Sequence, residues 1–203
     1  MAELPPPTSP VPALVLAAGG GRRLGGRPKA LLPFQGRPLV EHAVEVVREG
    51  GCDPVLVVLG AARDQVLATA ELAGCTVLAN PDWAEGMGGS LRTGLAALPA
   101  GCSGVLVSLV DTPGVTPAAV ARLLAAHRAG ATLAAAGYRG RRGHPVLIGA
   151  EHLAEAAETA RGDAGARALL TNHQAELRLV ECGDIAVPDD LDTPADLARW
   201  SAG

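Results

Sequence analysis

Residues 14–29 read LVLAAGGGRRLGGRPK, and the fold turns on this stretch. Apolar residues from Leu14 to Ala18 run straight into a segment with five glycines and four cations between Gly19 and Lys29. A short apolar run without alternation fits a strand buried on both faces, as in a parallel sheet covered by helices. Glycine lets the following backbone turn sharply and bring its N–H groups close to an anion. Arg and Lys add charge-assisted hydrogen bonds to phosphate oxygens. The segment is therefore read as a phosphate-binding turn; a solvated connector is the alternative, and the four cations weigh against it. Neither common nucleotide loop is present. Leu24 stands where G-x-G-x-x-G requires a third glycine, and Arg27 follows Gly26 where the P-loop requires lysine.

Outward from this strand the same alternation continues. Apolar runs at Ala13–Ala17, Pro54–Leu59, Thr76–Ala79 and Gly104–Leu109 are each followed by a segment with helical spacing: Leu39–Arg48, Ala61–Leu72, Ser90–Leu98 and Pro117–His127. Thr116 is a natural N-cap for the last, with Pro117 at its first turn. Beyond residue 130 the pattern predicts strands near Thr132–Ala136, Pro145–Ile148 and Glu176–Val180, helices near Glu151–Glu158 and Ala164–Leu170, and a final helix from Pro194. Strands alternating with helices define the expected class: a Rossmann-like α/β three-layer sandwich around a mostly parallel sheet. Residues 1–10, MAELPPPTSP, read as a disordered Pro-rich tail, and 11–203 as a single domain.

Composition excludes several classes. The 203 residues are 48% hydrophobic and 19% charged, with no apolar run near the roughly 18 residues of a membrane span. A net charge of −4 and four scattered aromatic side chains, Phe34, Trp83, Tyr138 and Trp200, argue against a nucleic-acid partner. Cys52, Cys75, Cys102 and Cys182 show no paired spacing and read as structural thiols in a reducing compartment. With no basic region before Val11, the expected location is cytoplasmic. A serine hydrolase built on Ser90 or Ser108 lacks G-x-S-x-G.

Ligands of open α/β sheets sit beyond the carboxyl ends of the strands. The run Gly104–Val110 ends on Asp111-Thr112-Pro113, which puts a carboxylate where Mg²⁺ could join phosphate oxygens. A helix cap or turn is the competing role for Asp111. A second acidic group, Asp189-Asp190-Leu191-Asp192-Thr193-Pro194, precedes the last helix. Asp192 or Thr193 could cap that helix, while Asp189 and Asp196 read as solvated.

The run L-A-A-G-x-x-x-R-L-G-x-x-x-K, here Leu16 to Gly19 with Arg23, Gly25 and Lys29, resembles the opening signature of the MobA-like NTP transferases, closest to the molybdenum cofactor cytidylyltransferase group. The usual methionine is replaced by Leu24, of similar volume. The resemblance implies that Ala17, Ala18, Gly19, Gly20 and Gly21 wrap a nucleoside triphosphate, with Arg23 and Lys29 on its phosphates. It also implies Mg²⁺ on Asp111, on Asp190 and secondarily on Asp192, with Arg23, Lys29 and Asp111 as the catalytic set. The segment Gly86-Met87-Gly88-Gly89-Ser90-Leu91 is similar to the family's base-reading loop and assigns Gly88, Gly89 and Ser90 to the nucleoside, although Ser90 as N-cap would be purely structural. Arg142-Gly143-His144-Pro145 and Gly162-Asp163-Ala164-Gly165-Ala166-Arg167 resemble acceptor-pocket walls, giving His144, Asp163 and Arg167 as substrate contacts; a lone histidine such as His144 is more often structural, and that role is the weightier alternative for it.

What the resemblance implies is an Mg²⁺-dependent transfer of CMP from CTP to a phosphorylated small molecule, molybdopterin first, with pyrophosphate released. It further implies contact with a molybdoenzyme or its chaperone. The alternatives are a GTP-using molybdopterin guanylyltransferase and another small-molecule cytidylyltransferase. The methylerythritol phosphate enzymes rank lower, because Val110-Asp111-Thr112-Pro113 replaces their usual His-Asp-Ala-Ala-Arg-Pro. A non-catalytic nucleotide-binding adaptor is the rival outside enzymes.

Overall fold

The computed structural model describes residues 10–201, so all but Pro10 of the expected tail lies outside the described residues. In chain order the elements are β1 (Ala13–Ala17), the short strands β2 (Pro33–Phe34) and β3 (Arg37–Pro38), α1 (Leu39–Glu49), β4 (Val55–Leu59), α2 (Arg63–Thr69), β5 (Cys75–Ala79), α3 (Met87–Ala96), β6 (Gly104–Leu109), α4 (Pro117–Arg128), β7 (Leu133–Tyr138), β8 (Arg141–Gly149), α5 (Leu153–Thr159), α6 (Arg167–Asn172), β9 (Arg178–Glu181) and α7 (Pro194–Ser201).

The main sheet has the order β5-β4-β1-β6-β8-β7-β9. β5, β4, β1 and β6 are parallel, as are β7 and β9, and β8 runs against both its neighbours. Side-chain alternation builds a layer on each face. Ala13, Val15 and Ala17 join Leu39, Val40 and Val47 of α1 and Val120 and Leu123 of α4 in one core. Leu14 and Leu16 join Leu91 of α3, Ala156 of α5 and Leu169 of α6 in the other. This is the expected Rossmann-like three-layer sandwich. No helix among the described residues is long and apolar enough to cross a membrane. The four cysteines are free thiols, and burial pushes that of Cys52 up to about 12, which leaves it inert.

Three departures from the expected boundaries bear on the site. α3 begins at Met87 rather than Ser90, so Ser90 lies inside the helix, buried, instead of capping it. Glycine is required at Gly88 of the helix because it packs so closely on Ala160 and Arg161 that a Cβ would lie 2.6 Å from the Arg161 backbone nitrogen. β8 starts four residues before Pro145: Ala135 pairs with Val146 and Gly137 with Arg142, leaving Gly143 to Pro145 as a bulge opposite Ala136. A bulge re-aims side chains, and this one carries His144. Residues Gly162–Ala164 form a separate 3-10 turn ahead of α6, which starts at Arg167.

At the last helix Thr193 is the cap and Asp196 its partner, not a solvated acid. The Thr193 amide donates to Asp196 Oδ2 at 2.8 Å, and the Asp196 amide donates back to Thr193 Oγ1 at 3.2 Å. The Thr193 hydroxyl, then its backbone amide, hold the Asp196 carboxyl down at about 2, from the ordinary 3.8. A depressed carboxylate stabilises the fold above its unfolded pKa and loses that contribution as pH falls through the folded one. Asp196→Asn is therefore expected to melt at lower temperature than the parent at pH 7, with the gap closing between about pH 4 and pH 2. Thermal melts across that range check it; a gap that persists at pH 2 contradicts the assignment.

Candidate functional site

β1 pairs with β4 on one side and β6 on the other, so the strand order reverses beside it, and a crevice opens beyond their carboxyl ends. The glycine loop leaves β1 there. Gly21 is left-handed at φ 59, the 3-10 turn Arg22–Leu24 follows, and Gly25 and Gly26 are left-handed again. Buried Leu24 pins the turn, and the Lys29 amide donates to Gly19 O at 3.2 Å, closing the loop at its base. Only glycine fits at Gly21, where a Cβ would lie 1.9 Å from Arg27 O.

Lys29 Nζ donates to Asp111 Oδ2 at 2.5 Å, across 82 residues, and also to Asp192 Oδ1. Its side chain is 15% exposed and that of Asp111 18%. Burial alone would lower the Lys29 pKa, but Asp111 and Asp192 more than reverse this and raise it, so the ammonium stays charged. Partial burial first, then Asp111 and Asp192, push the Asp190 carboxyl up to about 6.

The acidic strap is aimed by the residue in its middle. Leu191 is fully buried, and its amide donates to Asp111 O at 2.7 Å. With Leu191 turned inward, its neighbours face out: Asp192 meets Lys29, and Asp190 lines the larger of two cavities. Two carboxylates thus pair with one ammonium, and a third, Asp190, lies close enough to feel their charges. This surplus of hard oxygen donors suits Mg²⁺ or Mn²⁺, and the crowding that raises Asp190 is what a divalent cation would relieve. Asp111, Asp190 and Asp192 fit the group the sequence reading implies.

Two cavities flank this cluster. The smaller, about 300 Å³, is lined by Ala18, Gly19, Gly20, Arg22, Lys29, Trp83, Ser90, Asp111 and neighbours. The larger, about 980 Å³, contains His144, Asp163, Arg167 and Asp190 in its walls. Met87, Leu109 and Asp163 belong to both, so the two spaces adjoin. Arg139, Arg141, Arg142 and Arg167 line the larger one, together with Asp163, Asp189 and Asp190. Burial lowers the His144 pKa against the pull of Asp111, leaving a neutral imidazole whose buried Nδ1 has no hydrogen-bond partner among the described residues.

Not every expected residue reaches a cavity. Ala17 is buried at the end of β1, and Gly88 is spent on packing. Gly89 lies against the Asn80 side chain. Arg23 is 77% exposed and 3.6 Å from Asp192, while its neighbour Arg22 lines the smaller cavity. Trp83 and Asn80 were missed. The Trp83 ring packs on Gly20, where a Cβ would meet it at 2.8 Å, so an aromatic ring stands in the wall of the smaller cavity after all. Asn80 is buried and donates from Nδ2 to Ser90 Oγ at 3.0 Å, which orients that hydroxyl. Their shared signal was position, directly after the end of β5.

A glycine-rich turn and an acidic cluster at the switch point of such a sheet, opening on two joined cavities, define a nucleotidyltransferase. The sequence profile of the MobA-like NTP transferase domain matches residues 13–177, and the chain belongs to this family. It is 42% identical to the nicotine blue oxidoreductase of Paenarthrobacter nicotinovorans over 93% of this chain and 95% of that protein. The crystal structure of Rv0371c from Mycobacterium tuberculosis H37Rv in complex with manganese superposes with a TM-score of 0.79 at 29% identity, covering 95% of this chain and 98% of that one. A nucleotidyl transferase from Methanothermobacter superposes at 0.75 with 26% identity, covering 94% and 95%.

Proposed function

We propose that this enzyme transfers a nucleoside monophosphate, CMP from CTP, to a phosphorylated small-molecule acceptor, molybdopterin first among them. The observation that carries the reading is the pair of adjoining cavities meeting beside Lys29, Asp111 and Asp190, one glycine-lined and one carrying four arginines. The nucleotide would occupy the smaller space, with the base near Ser90 and Trp83 and the phosphates against Gly19, Gly20, Arg22 and Lys29. The acceptor phosphate would enter between Arg141, Arg142 and Arg167. An acceptor oxygen attacks the α-phosphorus in line; the bond from that phosphorus to the bridging oxygen breaks, and pyrophosphate leaves. The acceptor phosphate is already anionic, so no general base is needed. Lys29 neutralises charge on the phosphates, and Asp111, Asp190 and Asp192 would hold Mg²⁺ or Mn²⁺, which supplies further charge neutralisation when bound. The manganese complex of Rv0371c supports a divalent ion for the fold.

The test is pyrophosphate release from CTP, GTP, ATP and UTP with Mg²⁺, with and without molybdopterin. Acceptor-dependent release with CTP is expected. Gly21→Ala, whose Cβ would lie 1.9 Å from Arg27 O, must displace the loop and is expected to weaken triphosphate binding about tenfold or more by calorimetry while the circular dichroism is unchanged. The 42% identity to the nicotine blue oxidoreductase supports a second reading, an oxidation–reduction of nicotine blue or a compound like it. Spectral change of nicotine blue with the protein, and no pyrophosphate from any triphosphate, would select it.

A further inference from the structure

In the layer that α5 and α6 share with α3, two His-x-x-Glu pairs face each other: His152 with Glu155 where α5 begins, and His173 with Glu176 just past α6. One ligand atom each of His152, Glu155 and His173 lie within 4.8 Å of one another. The rings of His152 and His173 meet edge to face at 4.7 Å. We infer that these three side chains form a binding site for a transition-metal ion of the Zn²⁺ type that clamps α5 to α6. It is independent of the Asp111 cluster and of the reaction proposed there.

The donor set and its supports argue for a metal over a simple ion pair. Two imidazoles and one carboxylate favour a borderline ion such as Zn²⁺ over Mg²⁺. The outer partners that a ligating set needs are present. His173 Nδ1 lies 3.1 Å from Glu176 Oε1, and donation there leaves Nε2 as the electron-pair donor, 2.7 Å from Glu155 Oε2. Asn172 Nδ2 donates to Glu155 Oε1 at 3.1 Å, which turns the other carboxylate oxygen inward. His152 is buried, 7% exposed, with Nε2 at 3.2 Å from Thr132 Oγ1 and 3.9 Å from Glu176 Oε2. Tetrahedral Zn²⁺ holds such ligands about 3.3 Å apart, given bonds near 2.0–2.1 Å. The His173–Glu155 pair must open slightly and His152 close in, which the partly exposed Glu155 and His173 side chains allow. Binding displaces whatever proton the His173–Glu155 contact holds and leaves a fourth position for water.

The clamp has a consequence for the site described above. The chain between α5 and α6 carries Arg161, whose backbone packs on Gly88, and Asp163 and Arg167, which line the cavities. Tying the two helices together fixes both ends of that wall.

The experiment uses the full chain stripped with chelator and titrated with Zn²⁺ alone, followed by bound-metal analysis after dialysis. One Zn²⁺ per chain is expected, with a rise in melting temperature and added hydrogen-exchange protection over residues 160–173. His173→Gln and Glu155→Gln should each abolish stoichiometric binding and the melting shift, Glu176→Gln should weaken binding about tenfold, and Asp111→Asn should change neither. Co²⁺ substitution should show tetrahedral visible bands without thiolate charge transfer. No bound Zn²⁺, retention in His173→Gln, loss in Asp111→Asn, or a thiolate signature would each overturn the site.

Discussion

Replacing Lys29 with methionine is expected to lower pyrophosphate release by about 10²–10³-fold, the scale for removing one preorganised charge-stabilising donor. The side chain is long enough to keep the packing, so the lost property is charge. Asp111 and Asp192 then face each other, with Asp190 beside them and no ammonium between, which is expected to cost about 1–3 kcal/mol of stability. The distinguishing outcome is in the melts. Added Mg²⁺ or Mn²⁺ should recover more of the melting temperature in Lys29→Met than it adds to the parent, because the variant has lost its own cation. Equal shifts in the two proteins, or turnover within a few-fold of the parent, would show that Lys29 is not the charge on which the cluster depends.

Leu191→Ala is expected to be nearly as damaging although it removes no polar group. Leu191 is fully buried, and a buried Leu→Ala change costs about 2–5 kcal/mol; at roughly 2–4 °C per kcal/mol for a chain of this size, the melting point drops accordingly. Activity should fall in the protein that remains folded. The inward anchor is what holds Asp190 and Asp192 on either side of Asp111, and a slack strap lets both drift. Leu191→Met, which conserves volume, should cost less than about 1.5 kcal/mol and keep activity. Thermal melts paired with pyrophosphate assays at a temperature where both variants are folded separate the two effects. An alanine variant as active as the methionine one would remove Leu191 from the account of the site.

Much of the fold was legible because its cause is local. β1 and β6 match their expected bounds residue for residue, since a strand buried on both faces writes itself as an unbroken apolar run. Thr116 caps α4 as expected, accepting from the Ala119 amide. The helix begins before Ser90 although Gly88 and Gly89 look like loop, and what requires glycine at Gly88 is the close approach of Ala160 and Arg161 from a segment about 70 residues on. β8 was read short because Pro145 suggests a strand start, whereas the bulge opposite Ala136 accommodates it.

The site divides along the same line. A glycine-rich turn, a carboxylate at a strand end and an acidic strap before a helix are each visible in a few consecutive residues, so the sequence by itself determined the fold class and where the glycine loop and the acidic groups fall along the chain. It could not say that Lys29 would bridge Asp111 and Asp192, 82 and 163 residues away, or that Trp83 would stand against Gly20. Nor could it bring two distant His-x-x-Glu pairs together. Those contacts depend on the order in which strands assemble and on which helix covers which face. Periodicity reports that a face will be buried; only the tertiary structure decides what it is buried against.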